Sequence, residues 1–241
     1  MTLLLVSVTN GREAVEAVEG GADIVDVKNP LEGSLGAGFP WVISEVRRLL
    51  PPSIPVSAAI GDFPYLPGSA CLAAFGALQA GANLVKVGLK GPRTEEEALS
   101  LLKAVVGASS FLGKGGVVAC AYGDFERAGT LDPLLLPELA AKAGARVAML
   151  DTAVKDGKPL TSFLSLSQLE EFSERAHSFG LLVALSGSLR EEEIVELKGL
   201  ADVVGVRGAA CPSGRGGRIS RELVRKLKGL LGGPLLEVSR R

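Results

Sequence analysis

The chain has 241 residues, of which 47% are hydrophobic and 22% charged, so it can bury a sizeable core and is not expected to be disordered. Its formal net charge of −1 gives no reason to expect binding to nucleic acid or to an anionic membrane. The opening run MTLLLVSV lacks the basic start of a signal peptide and is too short for a membrane span, so we expect a cytoplasmic protein.

One pattern recurs four times along the chain: an Ala-rich amphipathic stretch, a glycine in a tight turn, and a short apolar run. The four copies read AVEAVEGGADIVDVK, CLAAFGALQAGANLVKVG, ELAAKAGARVAMLD and IVELKGLADVVGVRG. Each predicts a helix closed by a glycine and followed by a buried strand. With the segments between them, the sequence predicts eight strands, near 3–8, 24–28, 55–60, 84–88, 117–121, 147–151, 182–186 and 203–207.

Eight strand–helix units in this length fit a (β/α)8 TIM barrel, which typically has about 250 residues. The alternative is an open, doubly wound sheet, but no GxGxxG motif follows the first strand. We therefore predict an α/β protein with one barrel domain over residues 1–241.

Charged side chains occur at the ends of four of the predicted strands. They are Lys28, Lys86, Asp151 and Arg207, all on even-numbered strands, and Asp26 lies one pleat deeper than Lys28. Alternate strands of a barrel supply the same interior layer, so these side chains are expected to converge. A lone lysine there is often a solvated loop residue, and Asp26 and Lys28 could form a core ion pair. Several buried charges make a poor core, however, which favours a functional site.

The two lysines indicate a chemistry. Burial and a second nearby cation both lower the pKa of a lysine, and a neutral lysine can attack a carbonyl carbon to form an imine. We expect Lys28 to be this nucleophile, with Asp26 orienting its amine. Lys86 and Asp151 are then the candidates for proton transfer.

The last two strands are followed by small residues that let backbone N–H groups approach a phosphate, at the usual phosphate position of a barrel. The predicted phosphate-binding residues are Ser186, Gly187, Ser188 and Gly208, with Arg207 supplying charge. Lys155, four residues after Asp151, is the candidate for a second anion site. The segment SGRGGR at 213–218 fits either a phosphate-binding loop or a solvated one.

The remaining features exclude several kinds of site. The single histidine, His177, lies on a predicted outer helix, so neither a histidine-based triad nor a zinc site is expected. The three separated cysteines form neither a disulfide framework nor a CxxC pair. Asp62 and Tyr65, after the third strand, are further candidates for substrate contacts. We expect no metal in the site.

Five motifs in this chain resemble the (5-formylfuran-3-yl)methyl phosphate synthase family, whose product is the furan precursor of methanofuran. They are DVKNPLEGSLGA (26–37), VKVGL (85–89), MLDTAVKDGK (149–158), LSGSL (185–189) and VGVRGAAC (204–211). The resemblance implies condensation of two glyceraldehyde 3-phosphate molecules, with loss of phosphate and water. It also implies that Lys28 forms the imine, that Lys86 transfers protons, and that Asp26, Asp151 and Lys155 line the same site.

In this scheme Lys28 condenses with one triose phosphate after its isomerisation to the ketone, and the resulting enamine attacks the aldehyde of the second. No metal or organic cofactor is needed. One alternative is another imine-forming aldolase acting on a different sugar phosphate, and another is a non-catalytic sensor of phosphate ligands. Exposed Ala-rich and Leu-rich helix faces are compatible with a homo-oligomer.

Overall fold

Eight parallel strands form a closed barrel in the computed structural model, in which each strand pairs with its neighbours in chain order and β8 pairs with β1. The structure describes residues 2–232; the Arg-rich segment at the C-terminus and both ends of the predicted 1–241 domain lie outside this range. The strands are β1 Leu3–Val8, β2 Ile24–Val27, β3 Val56–Asp62, β4 Leu84–Gly88, β5 Gly116–Tyr122, β6 Val147–Asp151, β7 Leu182–Leu185 and β8 Val203–Val206. The predicted barrel is confirmed, with every predicted strand present and its bounds within two residues.

Helices cover the outside of the barrel. Within residues 2–232 they are α1 Gly11–Glu19, α2 Pro40–Leu49, α3 Pro67–Gln79, α4 Glu95–Leu112, α5 Phe125–Ala128, α6 Leu136–Ala143, α7 Leu166–Ser178, α8 Glu191–Leu197 and α9 Arg221–Leu230. The predicted glycine turns are present: α6, for example, ends at Gly144, whose φ of 84° favours a residue without a side chain. None of the helices in this range is long and apolar enough to cross a membrane.

Two separate apolar clusters stabilise the fold. The larger lies between the barrel and the helices. The smaller fills the barrel interior with inward-facing side chains such as Leu5, Ile24, Val118 and Met149. Near the carboxyl ends of the strands this interior changes from apolar to charged, because Asp26, Lys28, Lys86, Asp151 and Arg207 all point inward and are buried.

The loop between β2 and α2 closes part of the barrel mouth. Leu35 from this loop is fully buried and packs into the interior cluster. The loop is held there by the Ser34 hydroxyl, which donates to the Thr152 carbonyl at 2.9 Å, and by the Ser34 N–H, which donates to Asp62 at 3.1 Å. Asp62 also accepts from the Tyr122 hydroxyl. Asp62, a sequence candidate for substrate contact, therefore holds this loop.

Truncating the buried side chain of Leu35 should destabilise the protein. We expect Leu35→Ala to lower the free energy of unfolding by about 2–4 kcal/mol, because a fully buried leucine leaves a cavity when truncated. Leu31 lies in the same loop and is 93% exposed, so Leu31→Ala should change it by less than about 0.5 kcal/mol. Chemical denaturation measures both, and equal effects would show that Leu35 does not plug the barrel.

Candidate active site

The open part of the barrel mouth contains a cavity of about 510 Å³, bounded by residues of β6, β8, β1 and β4 and by residues that directly follow β2 and β7. This volume is in the usual range for small-molecule sites. Nine of the ten predicted site residues line the cavity: Lys28, Lys86, Asp151, Lys155, Ser186, Gly187, Ser188, Arg207 and Gly208. The tenth, Asp26, lies beneath it with no exposed surface. The structure thus brings the predicted residues together, whereas Tyr65 contacts Ser100 outside the cavity.

Asp26 is bound to Lys86 in this structure, not to Lys28. Its carboxylate accepts from the Lys86 amine at 2.7 Å and from the hydroxyls of Ser7 at 2.9 Å and Ser57 at 2.7 Å. The expectation that Asp26 orients the amine of Lys28 is therefore wrong. The reason is the strand register. β2 and β4 lie on either side of β3, and the Lys86 side chain reaches past β3 to Asp26, whereas Lys28 lies one pleat nearer the mouth than Asp26.

Sequence reasoning missed the two serines that bind Asp26. Both stand alone among apolar neighbours, Ser7 in LLLVSV and Ser57 in PVSAAI, at positions that face the barrel interior. A lone polar residue at an inward position of a buried strand needs a hydrogen-bond partner, and that signal was available in the sequence.

The amine of Lys28 is buried, and no carboxylate within residues 2–232 forms a hydrogen bond or ion pair with it. Burial lowers its pKa from the ordinary 10.5 to about 7, opposed by the negative charge of Asp151 and reinforced by the positive charges of Lys86 and Lys155. A much larger share of Lys28 amines is therefore neutral near pH 7 than for an ordinary lysine. The predicted influence of Lys86 on the Lys28 pKa has the expected sign.

Asp151 lies at the end of β6, where its Oδ1 accepts from the Lys155 amine and from the Thr152 N–H at 2.7 Å. Burial acts to raise the pKa of Asp151, but the charges of Lys155 and Lys28 and the hydrogen bonds from Lys155 and Thr152 outweigh it and lower the pKa to about 2. The group is therefore a carboxylate at neutral pH. This favours a role as a fixed negative charge over the proton transfer for which Asp151 was a candidate on sequence grounds.

Arg207 lies in the cavity wall with all five of its N–H donors already used. It donates to the Glu13 carboxylate at 2.9 and 3.4 Å, to the Ser7 carbonyl at 2.9 Å, and to the carbonyls of Arg215 at 2.8 Å and Gly217 at 3.0 Å. No N–H remains free for a phosphate, so the predicted direct contact is not supported. Arg207 instead ties α1 and the end of β1 to the loop that follows β8.

The loops after β7 and β8 present unused backbone donors to the cavity. Among the described residues, no acceptor binds the N–H groups of Gly187, Ser188, Gly208 and Ala209. Gly187 has a φ of 113° and packs on Thr152, and Ser188 has a φ of 51°. Backbone N–H groups without an acceptor at the end of a barrel strand can bind phosphate, so the phosphate site at these loops stays a prediction.

The SGRGGR segment at 213–218, which fits either a phosphate-binding loop or a solvated one, contributes another cationic side chain to the site. Arg215 lines the cavity, half-buried, and donates to the Gly33 carbonyl at 2.6 Å. Within the described range no cluster of three His, Cys, Asp or Glu residues is arranged to hold a metal ion.

The fold and the site together define a (β/α)8-barrel enzyme with buried lysines at the carboxyl ends of its strands. The family model described as 4-HFC-P synthase matches residues 4–228, and the chain belongs to this family. Proteins named (5-formylfuran-3-yl)methyl phosphate synthase are close relatives. The protein from Methanothermobacter thermautotrophicus is 53% identical, covering 95% of this chain and 98% of its own. That from Methanopyrus kandleri is 54% identical, with 93% and 96% covered.

Solved structures share the fold at much lower identity. A 3-hexulose-6-phosphate synthase superposes with a TM-score of 0.64 at 22% identity, covering 94% of this chain and 99% of its own. A phosphoribosyl anthranilate isomerase from Thermus thermophilus gives a TM-score of 0.59 at 16% identity, covering 96% of this chain and 98% of its own. These likenesses support the barrel architecture.

The low pKa of Lys28 has a consequence for stability. A lysine with a pKa of about 7 when folded and 10.5 when unfolded destabilises the folded state, fully below pH 7 and progressively less as the pH rises to 10.5. We therefore expect Lys28→Met to raise the free energy of unfolding at pH 7 by on the order of 4 kcal/mol. At pH 10 most of the gain should be lost. Denaturant titrations at both pH values measure this, with Lys90→Met at an exposed position as the control.

A gain for Lys28→Met that is equal at pH 7 and pH 10 would show that the pKa of this lysine is not lowered by folding. An unchanged free energy of unfolding for Lys28→Met at both pH values would lead to the same conclusion about the pKa of Lys28.

Breaking the buried ion pair between Glu13 and Arg207 should be costly. We expect Glu13→Gln to lower the free energy of unfolding by about 3–5 kcal/mol, because it leaves a buried guanidinium without a counter-charge. The control is Glu138→Gln in the exposed pair with Lys142, which should leave stability nearly unchanged. Similar effects of the two substitutions, measured by denaturant titration, would contradict this role for Glu13.

Proposed function

We propose that this enzyme condenses two molecules of glyceraldehyde 3-phosphate to (5-formylfuran-3-yl)methyl phosphate, releasing phosphate and water. The names of its relatives support the product, and the resemblance of its motifs implies the substrates. The observation that carries the proposal is the amine of Lys28, which is buried in the cavity with a pKa of about 7. We place the reaction in the cytoplasm and its product on the route to methanofuran. The alternative function is that of another imine-forming aldolase acting on a different sugar phosphate.

The first step is attack of the neutral Lys28 amine on the aldehyde carbon of one triose phosphate. Loss of water gives a protonated imine, whose positive charge the fixed carboxylate of Asp151 stabilises across the cavity. Lys86 is less suited to this attack, because its amine donates to the buried carboxylate of Asp26. Lys28 is thus the better nucleophile.

The substitution pattern of the furan determines which carbons must join. A formyl group at position 5 and a phosphorylated methyl group at position 3 divide the product into two intact three-carbon units in only one way. The new bond then links a terminal carbon of one triose to the middle carbon of the other. The electrophile is therefore the ketone carbon of dihydroxyacetone phosphate, formed by isomerisation of one glyceraldehyde 3-phosphate. This replaces the attack on an aldehyde that the sequence analysis described.

The nucleophilic terminal carbon is the one that first carries phosphate. The imine acidifies the proton on the adjacent middle carbon, and its removal gives an enamine that expels phosphate from the terminal carbon. The resulting enol attacks the ketone through that same carbon. Ring closure by the remaining primary hydroxyl, loss of two waters and hydrolysis of the imine then give the furan aldehyde. Condensation and elimination balance all atoms, so no oxidant or reductant is required.

These steps need a proton donor beside the reacting carbons. Lys86 lines the cavity and its amine is held by Asp26, which Ser7 and Ser57 fix in turn. We assign to Lys86 the donation of protons to the departing water and phosphate oxygens, and to the Asp26 carboxylate the stabilisation of the protonated form of Lys86. The open N–H groups of the β7 and β8 loops would bind one substrate phosphate.

The test is incubation of the protein with glyceraldehyde 3-phosphate, followed by detection of furan absorbance and released phosphate. Borohydride added during turnover should fix a triose-derived adduct on Lys28, located by peptide mass. We expect Lys28→Arg to abolish both the adduct and the product, since guanidinium stays protonated. Lys86→Arg should lose product while retaining the adduct, and Lys90→Arg, at an exposed position, should match the wild type.

Three outcomes would contradict the proposal in different ways. An adduct on Lys86 that survives Lys28→Arg would reverse the two roles. An adduct without furan would favour the aldolase alternative. Binding of glyceraldehyde 3-phosphate with neither adduct nor product would favour a non-catalytic sensor.

A further inference from the structure

The proposed reaction brings two phosphates into one cavity, one that is expelled and one that stays in the product, and each carries close to two negative charges. They repel each other while both are present, so two separate sites hold them better than one. The open N–H groups of Gly187, Ser188, Gly208 and Ala209 provide one site, near the ends of β7 and β8. The second requires a cation with free donors elsewhere on the cavity wall.

The cavity wall carries six cationic side chains: Lys28, Lys86, Lys155, Arg190, Arg207 and Arg215. Three of them are hydrogen-bonded to carboxylates, namely Lys86 to Asp26, Lys155 to Asp151 and Arg207 to Glu13. Lys28 is the nucleophile of the proposed reaction. Arg190 is exposed and donates to the Gly157 carbonyl. Lys155, expected from the sequence to bind the second anion, is thus neutralised by its own neighbour.

Arg215 differs from the other five. Its guanidinium is half-buried, and burial lowers its pKa, yet no carboxylate within residues 2–232 forms an ion pair with it. Only one of its N–H groups has an acceptor among these residues, the Gly33 carbonyl at 2.6 Å. A partly desolvated guanidinium with several unused donors is well suited to bind a phosphate dianion through two parallel hydrogen bonds.

The position of Arg215 is fixed from both ends. Its backbone carbonyl accepts from Arg207 Nε at 2.8 Å, and Arg207 is itself held by the buried Glu13. Its side chain extends from the β8 loop to Gly33 in the β2–α2 loop, which Ser34 anchors to the barrel. Little entropy is therefore lost when this guanidinium binds an anion.

We propose that Arg215 binds the phosphate of the second triose phosphate, at the end of the cavity beside the β2–α2 loop. This inference rests on the proposed function for the identity of the ligand. The existence of a second phosphate site can be tested without it, because inorganic phosphate should occupy both sites.

Equilibrium dialysis with radiolabelled inorganic phosphate counts the sites directly. We expect two phosphates per wild-type chain, one for Arg215→Met, and two for Arg218→Met, which removes an exposed arginine of the same loop that does not line this cavity. Arg215→Lys should retain the second site with weaker binding, since a lysine offers charge without a bidentate fork. Thermal melts check that each variant is folded.

Kinetics tests the same residue during turnover. Loss of a charge-assisted contact to phosphate should raise the KM for glyceraldehyde 3-phosphate by about 10- to 100-fold in Arg215→Met. Arg215→Lys should show a smaller increase, and Arg218→Met none. The borohydride adduct on Lys28 should still form in Arg215→Met, because the first triose does not depend on this site.

The proposal is overturned if the wild type binds one phosphate, or if Arg215→Met binds two with an unchanged KM. Equal losses in Arg215→Met and Arg218→Met would also overturn it, because they would show an effect of loop charge alone. If the wild type binds two phosphates and Arg215→Met one, but no furan forms, the second site stands and the proposed reaction fails.

Discussion

The buried amine of Lys28 is the constraint on which the rest of the site depends. Removing a lysine from water costs free energy unless a counter-charge compensates it, and full compensation would restore an ordinary pKa and abolish nucleophilicity. The structure holds Lys28 between these limits. Asp151 offsets part of the cost, while Lys86 and Lys155 oppose that effect, and the pKa settles at about 7. Asp26 is occupied by Lys86, Ser7 and Ser57.

The shape of the cavity depends on loops as well as on the barrel strands. Leu35 fills part of the mouth and leaves the rest open. The buried pair of Arg207 and Glu13 holds the opposite wall, and Arg215 links the two loops through Gly33. An arginine that sequence reasoning placed on the substrate thus determines where another arginine lies. Arg207 and Arg215 both lie in the segment that follows β8, but only Arg215 retains N–H donors without an acceptor among the described residues.

The barrel could be predicted from the sequence because its signals are local. Helix, glycine and apolar strand recur in one order, and inward positions follow from alternation along each strand. The membership of the site was predictable for the same reason: Lys28, Lys86, Asp151 and Arg207 end alternate strands. Which of these charged residues form ion pairs with each other could not be predicted from the sequence. Whether Asp26 binds Lys28 or Lys86 depends on register across two strands, and the Glu13 partner of Arg207 comes from a helix 194 positions away.

The separation of paired from unpaired cations would also let this site bind the dianionic substrates of the proposed reaction. Two phosphates near Lys28 raise its pKa and so reduce the fraction of neutral amine. Binding them at backbone N–H groups and at Arg215 places compensating positive charge beside each phosphate, which weakens this effect at the amine. In the proposed reaction the imine nitrogen is cationic both before the enamine forms and again after phosphate leaves, and the carboxylate of Asp151 stabilises that charge without a change of its own protonation, since its pKa is about 2. The permanently charged carboxylate of Asp151 therefore stabilises the protonated imine of Lys28 more than it stabilises the neutral amine.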